Sequence, residues 1–252
     1  MPAALRDGEF SVFYQPLVSS AGALHGCEAL LRWRRPDGTV VPPADFIPAA
    51  ENSGFILELG DYVLREALTQ LSRFDSAGLV QMDMSVNVSA HQLAQPDFER
   101  KVMCALEDAR VRPQRLVLEI TESVTAIDEH HVTALLSRMV VKGVRVALDD
   151  YGTGYSNPVH LKNYPVSALK IDRAFVQGVA DEEVSYVIVR SIINMAKALH
   201  LETFAEGVET ALQAQALCDL GVDYLQGYLY GRPMPAADLV IRFGPQPAIP
   251  AF

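Results

Sequence analysis

Short apolar, β-prone segments alternate with helical segments along almost the whole chain, and no other feature constrains its fold as strongly. The strand candidates cover residues 10–18, 24–33, 83–88, 115–120, 144–148, 166–171, 201–205 and 222–225. Helical spacing runs through 61–74, where Val63, Leu64, Ala67, Leu68 and Leu71 share one side. It recurs at 97–109, 129–141, 182–200 and 210–219, with shorter candidates at 156–163 and 236–243. Strands that alternate with helices predict a parallel sheet, either open or closed into a barrel. A length of 252 residues is usual for one (β/α)8 barrel, and a hydrophobic half of the chain can fill its core. One domain is expected over 1–243. The remainder, 244–252, carries Pro245, Pro247 and Pro250 and reads as a loose tail or linker stub.

Polar residues recur at the ends of these apolar runs. The second strand candidate contains Glu28, the third runs into Asn87, and the fourth holds Glu119. The fifth ends at Asp149-Asp150, the sixth carries Lys170 and leads to Asp172, the seventh leads to Glu206 and the eighth to Gln226. A carboxylate beside an apolar strand is costly unless it is paired or binds a cation. In a barrel the carboxyl ends of all strands converge on one face, where catalysis is built. An open sheet would spread the same residues along a line, so the pattern favours the barrel. Taken singly, each residue has a plainer reading. Glu28 could face solvent, Asn87 with Ser89 could cap a helix, Asp149-Asp150 before Gly152 could form a turn, and Lys170 could be a solvated charge. Their coincidence at successive strand ends argues for one site.

Several carboxylates with one amide oxygen, and no His or Cys among them, form a hard donor set suited to Mg²⁺ or Mn²⁺ rather than zinc. Two such cations are a recurrent device for cleaving phosphate esters. The formal net charge of −10 argues against a nucleic-acid polymer or an anionic membrane surface as partner. Cys27, Cys104 and Cys218 fit no zinc spacing and read as reduced thiols. No signal peptide precedes the first strand and no apolar run approaches a membrane span. A cytoplasmic product is therefore expected, or the cytoplasmic domain of a longer, membrane-bound protein, without direct membrane insertion by this chain.

An ordered set of motifs resembles the EAL domain, a family of cyclic di-GMP phosphodiesterases. Glu28-Ala29-Leu30-Leu31-Arg32-Trp33 follows Tyr14-Gln15-Pro16 and precedes Asp45-Phe46-Ile47-Pro48. Then come Asn87-Val88-Ser89, Leu118-Glu119-Ile120-Thr121-Glu122 and Asp149-Asp150-Tyr151-Gly152-Thr153-Gly154. Leu169-Lys170-Ile171-Asp172, Ala205-Glu206-Gly207-Val208-Glu209 and Gln226-Gly227-Tyr228 complete the set. The likeness spans about residues 5–243.

The resemblance implies a barrel whose first strand runs antiparallel to the rest, and hydrolysis of one phosphodiester of cyclic di-GMP to linear pGpG. By motif position, Glu28, Asn87, Glu119, Asp149, Asp150 and Glu206 match ligands of two divalent cations, Mg²⁺ or Mn²⁺. Lys170 matches a lysine that positions or deprotonates the attacking water, and cations near it would lower its pKa by like charge. With Glu28 and Asp149 it makes up the catalytic set, to which Glu122 adds an anchor for a mobile loop. Gln15, Leu30, Arg32, Asp172, Glu209 and Gln226 match contacts on the substrate side. A homodimer through the 150s loop and the following helix is implied, as are sensor or GGDEF-type domains in a longer parent. Two departures fall in that loop. Tyr151 stands where the family usually has Phe, and Asn157-Pro158 where it usually has Ser-Leu. Pro158 cannot donate a backbone hydrogen bond, which puts loop dynamics and dimer strength in doubt, not metal binding. The alternatives in other classes are a cyclic di-GMP receptor without catalysis, a scaffold acting through a partner domain, and a hydrolase for another phosphodiester.

Overall fold

The computed structural model describes residues 1–121, 129–152, 161 and 163–245. Among the described residues, nine strands form one sheet: β1 (Phe10–Ser19), β2 (Leu24–Arg34), β3 (Val40–Val41), β4 (Asp83–Asn87), β5 (Leu116–Thr121), β6 (Arg145–Tyr151), β7 (Ala168–Ile171), β8 (Glu202–Ala205) and β9 (Tyr224–Gln226). The order is β1-β9-β8-β7-β6-β5-β4-β2-β3, and β1 also pairs with β2. Eight strands thus close into a barrel, with the two-residue β3 attached outside to β2. The barrel is mixed. β1 is antiparallel to both of its neighbours, and the steps from β2 through β4 to β9 are all parallel.

The odd direction of β1 has a local cause. Only residues 20–23 separate β1 from β2, with Gly22 at φ +81° in the turn. So short a link allows a hairpin and no crossover, and a hairpin is antiparallel. Every later link between barrel strands is long enough to return the chain in parallel, and most carry a helix.

Side chains alternate across the barrel wall. Leu116 and Leu118 of β5, Val146 and Leu148 of β6, and Leu169 and Ile171 of β7 face outward into the main core. There they meet the apolar sides of the surrounding helices, such as Leu68 and Leu71 of Ile56–Ser76, Leu135 and Leu136 of Glu129–Val141, and Val189 and Ile193 of Glu183–Ala198. The inward residues Leu17, Val117, Ala147, Ala168 and Phe204 form a small separate cluster that fills the barrel. A third cluster, around Phe10, Phe46, Ala50, Phe55 and Leu59, closes one end beneath helix Pro43–Ser53.

Among the described elements, Pro2–Arg6, β3, Pro43–Ser53, the short turn of helix Pro113–Arg115 and Arg173–Gln177 lack a clear sequence signal. Pro43–Ser53 buries only Phe46 and Ala50, and Pro48 interrupts its pattern, so its apolar stripe is faint. The helix read at 61–74 begins earlier, at Ile56. The helix candidate at 156–163 lies outside the described residues except for 161 and 163. Asn157-Pro158, the loop implied to form the dimer contact, and the tail from 246 onward also lie outside them. No described helix is long and apolar enough to cross a membrane.

Candidate active site

Period two in the strands builds the site from the barrel filling upward. One step inward along each strand from Val117, Ala147, Ala168 and Phe204 stand Glu119, Asp149, Lys170 and Glu206. On β1 the step runs the other way, from Leu17 to Gln15, because that strand is antiparallel. Pairing supplies the rest. Glu28 lies opposite Gln15, Asn87 is in register with Glu119, and Gln226 is opposite Leu17. An apolar layer thus carries a polar layer at the carboxyl ends of the parallel strands.

Lys170 is at the centre of that layer and is 1% exposed. Its Nζ lies 2.5 Å from Glu206 Oε1, 2.8 Å from Glu119 Oε2, 3.4 Å from Asp149 Oδ1 and 3.6 Å from Glu28 Oε2. Glu28 accepts two amide donors as well: Asn87 Nδ2 at 2.6 Å on Oε1 and Gln226 Nε2 at 2.6 Å on Oε2. Gln226 Nε2 also reaches Gln15 Oε1 at 3.2 Å, and Gln15 Nε2 donates to the Gly231 carbonyl at 3.2 Å. Gln15 and Gln226, matched by motif to the substrate side, are therefore bonded to each other, and Gln226 also to Glu28. The buried Oε1 of Gln226 has no partner among the described residues.

Neighbouring residues of a strand normally face opposite ways, yet Asp149 and Asp150 both join the site. The β6–β7 register slips between Leu148 and Tyr151, and Asp150 adopts φ +55°. This bulge folds the Asp150 N–H back onto Asp149 Oδ1 at 2.9 Å. Asp tolerates the left-handed region better than most residues, at a cost of about 1 kcal/mol. The result is that Asp149, Asp150 and Glu206 each offer a carboxylate oxygen within 4.8 Å of the others, a grouping able to hold a metal ion.

Charge is unevenly shared. Burial pushes Glu28 up, but Lys170 and the Gln226 and Asn87 amides outweigh it, so its carboxyl titrates below the usual range. Burial raises Glu119 well above that range and Glu206 to about 8, against the pull of Lys170. The ammonium of Lys170 does not offset the burial of Glu119 and Glu206. Burial and then Asp149 and Asp172 push Asp150 up to about 6. Burial pushes Lys170 down, but Asp149, Glu119, Glu206 and Glu28 overcome it, and its ammonium is held well above the ordinary lysine value. The protein's own groups thus act against the lowering expected for Lys170 from nearby cations.

The other predicted residues are placed less centrally. Leu30 and Arg32 line a cavity of about 330 Å³ that reaches Asn87 and Glu119. Arg32 Nη1 donates to the Leu31 carbonyl at 2.9 Å. Asp172 accepts the Ala174 N–H at 2.7 Å, caps Arg173–Gln177 and hydrogen-bonds Asp150. Glu209 is exposed, and no described hydrogen bond or ion pair joins its carboxylate to the cluster. Ser89 does cap a short helix, Ala90–Leu93, through a capping box with Gln92, while Asn87 turns into the site. Glu122 lies outside the described residues.

A closed α/β barrel with an acidic cluster at the carboxyl ends of its strands, of a kind consistent with metal binding, defines a TIM-type barrel with its site in the usual place. The chain belongs to the EAL domain family, whose model matches residues 1–233. It is 39% identical over 238 residues to the bifunctional diguanylate cyclase/cyclic di-GMP phosphodiesterase MucR of Pseudomonas aeruginosa, covering 94% of this chain and 35% of that protein. It is 34% identical over 233 residues to the cyclic di-GMP phosphodiesterase PdeR of Escherichia coli, covering 92% of this chain and 35% of that protein. The chain spans about a third of the length of these curated relatives. Among solved structures, the MucR phosphodiesterase in complex with c-di-GMP superposes with a TM-score of 0.89 at 39% identity, covering 94% of this chain and 97% of that one.

Proposed function

We propose that this chain hydrolyses one phosphodiester bond of cyclic di-GMP to linear pGpG with the help of two divalent cations, Mg²⁺ or Mn²⁺. The observation that carries this reading is the set of five carboxylates, Glu28, Glu119, Asp149, Asp150 and Glu206, around the single ammonium of Lys170. Fully ionised, they leave four excess negative charges at the barrel mouth, which two divalent cations balance. The donors are all oxygen, as Mg²⁺ and Mn²⁺ prefer. Glu28, Asn87, Glu119, Asp149, Asp150 and Glu206 would hold them. Cations held there would supply Lewis-acid chemistry, polarising a phosphate oxygen and activating a water.

The chain's own residues supply orientation and charge. The Asn87 and Gln226 amides fix both oxygens of Glu28. Lys170, kept as an ammonium by its carboxylates, donates hydrogen bonds to the attacking water or to the phosphate, the milder of its two possible roles. Arg32 presents a planar fork at the edge of the cavity for the phosphate or guanine. In a longer parent, sensor or GGDEF-type domains would regulate this activity in the cytoplasm, as the multidomain relatives suggest.

One assay tests the reading. The protein is incubated with cyclic di-GMP and Mg²⁺ or Mn²⁺, and the nucleotides are resolved. Formation of pGpG is expected. Binding without pGpG supports a receptor instead, and neither binding nor turnover sinks the assignment.

A further inference from the structure

The cavity beside Leu30 and Arg32 owes one wall to a helix with little hold of its own. Pro43, Ile47 and Glu51 line the cavity, and their spacing puts them on one side of helix Pro43–Ser53. Phe46 and Ala50, the buried residues of that helix, lie on the adjoining side, in the aromatic cluster with Phe10. No side chain caps the start of the helix, and Pro48 removes a backbone donor from its interior. Its position is therefore set by what Phe46 and Ala50 pack against. Ile56 and Leu59 belong both to that cluster and to the cavity lining, so a single layer of side chains separates the two.

The support comes from the start of the chain. Trp33 faces outward from β2, on the opposite side from Glu28, Leu30 and Arg32. Its ring stacks on Phe10 with centroids 5.2 Å apart and meets Phe46 edge-on at 5.8 Å. Its backbone pairs with Phe10 on one side and with Val41, just ahead of the helix, on the other. Trp33 Nε1 donates to Glu9 Oε2 at 2.7 Å, and the Arg34 N–H donates to the Glu9 carbonyl at 2.9 Å. The Glu9 N–H in turn donates to the Ala4 carbonyl at 2.9 Å. Ala4, with Met1 and Leu5, packs helix Pro2–Arg6 onto the same cluster. So short a helix does not stand alone in water, and this packing holds it. Glu9 itself does not line the cavity, and no described hydrogen bond or ion pair joins Glu9 or Trp33 to the acidic cluster.

Resting on the reading above for what the site takes, we propose that Glu9 and Trp33 are positioning residues for substrate. Through Phe10 and Phe46 they fix helix Pro43–Ser53, and with it the cavity wall of Pro43, Ile47 and Glu51. A wall already in place in the free protein spares the cost of ordering it on binding. Loosening it weakens substrate binding and leaves the cation ligands and Lys170, on other strands, where they are. Binding and chemistry therefore separate at this pair.

The test compares two replacements of Glu9. Glu9→Ala removes the acceptor, and Glu9→Gln keeps an oxygen for the indole N–H. Glu9→Ala should raise KM for cyclic di-GMP about fivefold, leave kcat and Mn²⁺ affinity within about twofold, and speed amide exchange within helix Pro43–Ser53 about tenfold. Glu9→Gln should restore most of both losses. Trp33→Phe, which keeps the stacking without the N–H, should match Glu9→Ala, and the two together should cost no more than either alone. A lower melting temperature with KM and helix exchange unchanged would make the pair merely structural and overturn the proposal. Additive losses in the double variant would overturn it as well. In the Lys170→Ala background the dissociation constant of cyclic di-GMP with Mn²⁺ takes the place of KM. A weaker constant on adding Glu9→Ala there, with no pGpG from the unmodified chain, would sink the hydrolase reading and leave the positioning role standing.

Discussion

Lys170 Nζ donates to Glu119 Oε2 at 2.8 Å inside a layer where both side chains are almost fully buried. The ammonium occupies the centre of a carboxylate ring and acts there as a fixed positive charge. Replacing it has two opposed effects. Lys170→Ala should abolish turnover of cyclic di-GMP. The same variant should bind Mn²⁺ at least about tenfold more tightly, because a like charge has been removed from beside the cations. In EDTA it should be destabilised by about 3 kcal/mol, since the buried carboxylates lose their partner. Calorimetric Mn²⁺ titration and urea unfolding check the two halves, and weaker Mn²⁺ binding would count against the proposed ligand set.

The raised carboxyls predict an unusual pH dependence. Burial holds Glu119 well above the usual range and Glu206 at about 8, against 4.5 as the ordinary value. Between about 4.5 and 8 the folded, metal-free chain therefore binds more protons than the unfolded chain. Stability from these groups is highest at the acid end and is lost as pH rises through that window. In EDTA the melting temperature should fall by about 5 °C or more between pH 5 and pH 8. With Mg²⁺ or Mn²⁺ the trend should flatten or reverse, because the ionised carboxylates bind the cation. A metal-free melting temperature that climbs steadily over this range would contradict the charge balance described for the site.

Asp150 combines backbone strain with a destabilised charge. Its φ of +55° and a carboxyl raised to about 6 by burial, Asp149 and Asp172 both disfavour the metal-free fold. Asp150→Asn should keep the left-handed turn, raise the melting temperature in EDTA by about 2–4 °C, and weaken divalent-cation binding about tenfold. Asp150→Gly relieves the backbone as well and should be at least as stable in EDTA. If either variant bound Mn²⁺ like the unmodified chain, Asp150 would not be a ligand.

Much of the site is legible in the sequence because strands are short and their ends converge. Glu119, Asp149 and Lys170 follow apolar residues at period two, so their meeting inside a barrel is a matter of counting. The direction of β1 was implied by resemblance alone, yet the four-residue link before Leu24 already forbade a crossover. Other features depend on contacts that no periodicity encodes. Gln15 and Gln226 lie 211 positions apart, and only the closure of β1 onto β9 lets them bond each other. Lys170 has an ordinary sequence context on an apolar strand, and the raised pKa comes from carboxylates on four other segments. Helix Pro43–Ser53 buries two side chains, too few to leave a stripe.

Arg145 stands at the opposite end of β6 from Asp149, and its role should be separable from the site. It bonds Asp83 at 2.5 Å and also pairs with Glu202, while His25 Nε2 lies 3.3 Å from Asp83 and stacks on Tyr224 at 3.9 Å. These residues lie near the starts of their strands, where a barrel keeps its stabilising contacts. Arg145→Met removes a cation that bridges β4 and β8 through β6. It leaves Asp83 and Glu202 facing each other without their shared counter-charge. Urea unfolding in EDTA should show a loss on the order of 2–3 kcal/mol. The Mn²⁺ affinity of the folded variant should stay within about twofold of the unmodified chain, because Arg145 and the acidic cluster are separated by the apolar layer of Val117, Ala147 and Phe204. A large change in Mn²⁺ affinity at full folding would mean that the two ends of the barrel are coupled through that layer.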